Sequence, residues 1–170
     1  MNNLEFIGKC ANGINVFNRL NSHLHKNVSE NILKEALLKI SPNEEFHKEV
    51  IDMKRIIGKS NCVLINESDE IIYVIRKGRN GPTPIVKNRE PVNCSYLTVA
   101  LKRVEENSYL LISAYIGDVS EPEPWDTNFY NPFTWEKKEN IDEEMYYKSL
   151  HFWKTHALIY DESEISLFLS

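Results

Sequence analysis

Residues 96–117 read YLTVALKRVEENSYLLISAYIG: two apolar runs of strand character joined by the polar Glu105-Glu106-Asn107-Ser108. Four residues is a common hairpin connection. Pairing Val104 with Tyr109 sets Ala100 opposite Ser113 and Thr98 opposite Tyr115. Strand alternation then collects Leu97, Val99, Leu101, Leu110, Ile112, Ala114 and Ile116 on one apolar face, which calls for a helical cover. The other face presents Tyr96, Thr98, Lys102, Tyr109, Ser113 and Tyr115. A slip of one residue buries Lys102 and exposes the apolar set, so the register is strongly specified.

Working outward, Cys62–Asn66 and Ile71–Lys77 are two further runs of strand character, giving a four-stranded antiparallel meander over 60–117. Upstream, Ile14, Phe17, Leu20 and Leu24 recur at helical spacing and predict a helix near 14–26. Ser29 reads as an N-cap, followed by a face of Ile32, Ala36, Leu37 and Ile40 with Leu33 at its edge. Ser41-Pro42-Asn43-Glu44-Glu45 opens another helix, with Phe46, Val50, Met53 and Ile57 along one side and Gly58 to end it. Downstream, Glu121-Pro122-Glu123-Pro124-Trp125-Asp126 begins a proline-rich loop that Phe129, Tyr130 and Phe133 hold on the body. Asn140 caps a helix to about Trp153, Ala157–Tyr160 forms a short strand, and the tail ends on Ile165, Leu167, Phe168 and Leu169. The expected fold is α+β, a single domain 1–170. N-terminal helices (1–58) pack on a four-stranded antiparallel β-meander (60–117), with a C-terminal loop, helix and short strand (118–170).

A chain of 170 residues is one domain by prior and buries roughly two-thirds of its unfolded surface. Cys10, Cys62 and Cys94 are an odd number without CxxC spacing, which argues against a disulfide framework and a zinc site. There is no basic start followed by an apolar stretch and no run of eighteen apolar residues, so the expectation is a soluble cytoplasmic protein without a membrane partner. Toxin domains cut from larger secreted proteins share these absences. The net charge of −5 is uneven: 71–103 hold seven Lys/Arg against one Asp/Glu, and 104–170 hold four against fourteen. Such a chain is not a generic nucleic-acid binder. The basic segment either focuses a positive patch or is neutralised by the acidic one.

Arg76-Lys77-Gly78-Arg79-Asn80-Gly81-Pro82-Thr83 combines cations with glycines that allow close backbone approach, and Lys87 and Arg89 follow. It reads as a phosphodiester clamp or as a solvated hairpin tip; it lacks the Gly-Lys-Ser/Thr of a Walker loop. Thr98, Ser113 and Tyr115 place hydroxyls on one strand face, either to orient a phosphate or ribose or as ordinary strand formers. Among the five histidines, His47 beside Phe46 is the acid/base candidate. His23-x-His25 could hold a metal only on a strand, where a helix is expected; His151 and His156 have the wrong step for HExxH, and no carboxylate cluster has metal-ligand spacing, so neither a metal nor a cofactor is expected. Trp125 is placed to stack a base or to plug the core.

Helices before a four-stranded meander, basic residues on its second strand (Ile71-Ile72-Tyr73-Val74-Ile75-Arg76) and Ser-x-Tyr on its last (Leu111-Ile112-Ser113-Ala114-Tyr115) resemble a known superfamily. The pattern is similar to the barnase/EndoU/colicin D/RelE-type ribonucleases of bacterial toxins and phage proteins, over about residues 42–117. The resemblance implies metal-independent RNA cleavage, with Arg76 and Lys87 stabilising phosphate charge and Arg79 or Arg89 in support. Ser113 and Tyr115 would position substrate, with His47 as acid or base; Thr98 and Trp125, read from their residue types alone, are further substrate-binding candidates. The chain departs from the pattern in having no histidine pair within the meander and in its acidity. The leading expectation is an RNA-cleaving or RNA-binding protein of toxin or phage-defence type, with RNA and a cognate inhibitor as partners. The alternative is a non-enzymatic immunity protein or inhibitor whose acidic C-terminal segment binds a basic partner. A third is a small-molecule enzyme with the Trp125 loop as a lid.

Overall fold

The computed structural model describes residues 3–19, 28–76, 80–118 and 120–159. In chain order the elements are β1 (Leu4–Lys9), β2 (Asn15–Arg19), α1 (Glu30–Leu37), β3 (Phe46–Asp52), β4 (Gly58–Ser60), β5 (Cys62–Leu64), β6 (Ile71–Ile75), β7 (Pro82–Val86), β8 (Val92–Cys94), β9 (Tyr96–Glu105), β10 (Ser108–Ile116), α2 (Glu143–Thr155) and β11 (His156–Ile159). This corrects the expected architecture: among the described residues there are two helices and three sheets, not several N-terminal helices on one meander. The four strands expected from sequence form, but β9 and β10 join one sheet while β5 and β6 join another. The chain divides into two compact units, Met1–Ser60 with Asn93–Val119, and Asn61–Val92 with Ser120–Ser170.

The first unit holds a five-stranded sheet in the order β1-β2-β10-β9-β3, antiparallel except where β2 runs parallel to β10. The stretch expected as a helix from Pro42 is largely β3, paired along its length with β9 from Phe46↔Lys102 to Asp52↔Tyr96. Its pattern hides the strand because His47 and Glu49 occupy the core-facing positions, where apolar residues would announce the alternation. The two side chains satisfy each other, Nε2 to Oε1 at 2.8 Å. Likewise β2 stands where the first helix was expected; the rest of that helix, Lys77, Arg79 and the apolar tail lie outside the described residues.

The β9–β10 hairpin keeps the expected pairs Ala100↔Ser113 and Thr98↔Tyr115, and its turn is tighter, with Glu105 paired to Ser108 in that same register. Between them the register shifts twice, at Ser108/Tyr109, where Tyr109 meets Arg103 and not Val104, and at Leu111/Ser113, where Ile112 is skipped. One extra residue reverses side-chain parity on the bulged strand. Tyr109 and Leu111 therefore enter the core with Leu97, Val99, Leu101, Ala114 and Ile116, and Ile112 is left 47% exposed. The α1 helix caps this face with Leu33, Ala36 and Leu37, its first turn closed by Ser29 Oγ accepting from the Ile32 amide at 3.2 Å.

The second unit holds a four-stranded sheet in the order β5-β11-β7-β6. β7 lies inside the segment expected to be a basic loop. Pro82 and Pro84 disguise it, since proline normally excludes an interior strand. Both are tolerated because their missing amides would face away from β6, and β11 meets β7 only at Ile85 and Val86. The helix expected from Asn140 begins two residues later, with Asp142 accepting from the Met145 amide at 3.1 Å. The proline-rich segment is clamped to this helix: Ser149 Oγ donates to Pro122 O at 2.6 Å and Trp153 Nε1 to Glu121 O at 2.9 Å. Phe129 is buried edge-on against Tyr146 at 5.0 Å and holds the loop as expected, whereas Phe133, expected to do the same, is 92% exposed.

Candidate ligand groove

The residues singled out from sequence divide between the units. His47, Thr98, Ser113 and Tyr115 belong to the first, and Arg76, Lys87, Arg89 and Trp125 to the second. Arg79 lies outside the described residues. Within the first unit the sheet itself separates the acid/base candidate from the hydroxyls. His47 pairs in register with Leu101 on the core side, whereas Ser113 opposite Ala100 and Tyr115 opposite Thr98 are on the reverse side. His47 is on a strand, not the expected helix. Thr98 is fully buried and donates its hydroxyl to Gly117 O at 2.7 Å, so it holds the end of the hairpin. Ser113 is exposed and Tyr115 half-buried.

In the second unit the cations are woven into structure. Arg76 is ion-paired with the buried carboxylate of Glu123 and donates from Nε to Thr83 Oγ1 at 3.1 Å. Thr83 in turn donates to the second Glu123 oxygen. This triangle ties the end of β6 to β7 and to the proline-rich segment. Arg89 lies 3.1 Å from Asp69 and donates to Leu64 O at 2.9 Å, fastening the turn before β6. Lys87 has an exposed side chain, and its amide donates to Glu70 O at 2.9 Å.

Above the triangle lies a groove of about 220 Å³ walled by rings. Tyr73, 69% exposed, stands beside Pro84 across the β6–β7 pairing. Trp125 rests directly on Gly81, where a side chain would occupy the space of the indole. Trp153 and Leu150 of α2 complete the wall, and Lys154 is at the rim. The polar groups at its floor are spent: the Trp153 N–H on backbone carbonyls, the Glu123 carboxylate on Arg76 and Thr83. What remains is flat apolar surface with few hydrogen-bonding atoms. Of this set the sequence singles out Trp125. Tyr73 reads as an ordinary strand residue and Trp153 as the end of a helix, because only folding brings them together.

No helix among the described residues is long and apolar enough to cross a membrane. No family model matches the chain, and no curated protein matches it. Among solved structures it is similar to a conserved hypothetical protein from Toxoplasma gondii ME49, known from a 2.35 Å crystal structure. The two share 15% identity over 84% of this chain and 90% of the other, with a TM-score of 0.51. That likeness is one of fold.

Proposed function

We propose that this protein is a non-enzymatic interaction module whose second unit docks a basic segment of a partner protein. The observation that carries the reading is the Arg76–Glu123 ion pair. It neutralises the cation best placed for a phosphate, while the rings of the adjoining groove stay open to a ligand. Charge points the same way: the segments 61–92 and 120–170 contain nine Lys/Arg and fifteen Asp/Glu, a net −6. Such a surface attracts a cationic partner and repels RNA. Fluorescence anisotropy with a lysine- and arginine-rich peptide tests it. Glu143→Lys with Glu144→Lys should weaken binding severalfold and flatten its salt dependence, while an outer-face change in the first unit, Ser113→Ala, leaves it unchanged. No measurable binding to the wild-type protein would sink the reading.

Metal-independent RNA cleavage, implied by the ribonuclease resemblance, is the second reading. It is favoured by Ser113 and Tyr115 sharing the outer face of β10 two residues apart. Incubation with pooled RNA separates the two. Cleavage that Ser113→Ala with Tyr115→Phe removes would support the nuclease, and intact RNA would end it.

A further inference from the structure

We infer that the groove takes a proline-rich segment in the polyproline II conformation, lying along α2 with its cationic end toward Glu143. This rests on the docking reading above and names the ligand's class. The walls supply Tyr73, Trp125 and Trp153 faces and pyrrolidine rings, while the Trp153 N–H and the Glu123 carboxylate are already bonded within the protein. A ligand with ordinary amides would lose hydrogen bonds to water on entering and recover few. A polyproline II strand escapes most of that cost. It has no internal hydrogen bonds to satisfy, its prolines carry no N–H, and its backbone is ordered before binding. Aromatic-lined grooves exploit this economy, and pyrrolidines stack well on indole and phenol faces.

The direction follows from the helix. Glu143, Tyr147, Leu150 and Lys154 recur at i, i+4, i+7 and i+11, so they form one stripe along α2. Leu150 and Lys154 line the groove, Tyr147 is 67% exposed, and Glu143 stands in the first turn beside Glu144. Charge along the stripe therefore runs from cation at the groove to acid at the helix start. At 1.5 Å per residue, Glu143 is about 10 Å from Leu150 along the axis. A polyproline II segment rising 3.1 Å per residue covers that in about three or four residues. The ligand is then a pair of prolines with a lysine or arginine about three to four residues away on one side, and Tyr147 beneath the link.

Tryptophan fluorescence titration with synthetic peptides tests this. The set is a proline-rich peptide with arginine on one flank, its reversed-order counterpart, the same cations with every proline replaced by alanine, and the proline core with neutral flanks. A single-stranded RNA oligonucleotide is the fifth probe. One of the two arginine-flanked orders should bind at least tenfold more tightly than the alanine peptide. The neutral core should bind severalfold more weakly than that order, and Glu143→Gln should erase this flank difference. Tyr73→Ser, at an exposed strand position that leaves folding intact, should cost at least fivefold. Equal binding of the alanine peptide would overturn the polyproline inference while the basic-partner reading stands. Equal binding of both orders, or no effect of Glu143→Gln, would overturn the assigned direction. Binding of the RNA alone, or of no probe, would overturn both.

Discussion

Glu123 is a carboxylate only 6% exposed, and Arg76 is ion-paired with it. Burying such a pair is costly, but removing one member costs more, because the survivor stays desolvated and unpaired. Arg76→Ala should therefore destabilise the protein by about 3 kcal/mol or more, visible as an earlier urea midpoint. Arg76→Ala with Glu123→Ala should recover part of that loss; equal loss in the double variant would show that the pair is not coupled. A change at Arg76 is thus a poor probe of chemistry, since fold and function would fail together. The thiols give a second residue-scale test. Burial pushes Cys10 and Cys62 up to about 11, with Glu49 adding to the effect at Cys10. In the unfolded chain they ionise near the ordinary 9.0, so the stability tied to keeping them neutral is full below that pH and is lost as pH rises toward 11. Alkylation at pH 8 followed by mass spectrometry should find both slow in the folded protein and fast in urea.

At the scale of elements, local signals were legible where the residue types carry their own conformational reason. Ser29 and the apolar face after it specify α1, and the acidic first turn specifies the start of α2 to within two residues. The strand runs at 71–75, 96–105 and 108–116 are evident from β-branched and aromatic alternation. β3 and β7 were not legible, each for a physical reason: a His47–Glu49 pair on the core side, and prolines in an interior strand. The bulge at Ile112 belongs to the same class, since nothing in LLIS announces an extra residue. Its role is testable. Deleting Ile112 would make Leu111 and Ser113 neighbours opposite Leu101 and Ala100, so plain alternation would keep Tyr109, Leu111, Ala114 and Ile116 on the core face. The deletion should therefore be tolerated, shifting stability by about 1 kcal/mol or less. Thermal unfolding monitored by circular dichroism would report it; a loss of several kcal/mol, as when large side chains leave a core, would show that the bulge itself is needed.

For the whole molecule, the chain enters the first unit, leaves it at residue 60, returns at 93 and leaves again at 119. All five strands of the first sheet precede residue 119, whereas the second sheet takes β11 from the C-terminal segment and places it between β5 and β7. A chain cut after 119 should keep slow amide exchange in β9 and β10 and lose it in β6 and β7; loss in all four would mean that the first sheet needs the second. The sequence by itself determined α1, α2 and the strands β5, β6, β9, β10 and β11, and that Phe129 would help order the loop after β10. Those properties are local: caps, periodicity and ring burial are written in neighbouring residues. Which strand pairs with which, which face His47 takes, and the meeting of Tyr73, Trp125 and Trp153 were decided only in three dimensions. Backbone hydrogen bonds are chemically alike in every strand, so a run of apolar residues specifies that it will pair but not its partner. A groove assembled from three distant segments exists only after that choice is made.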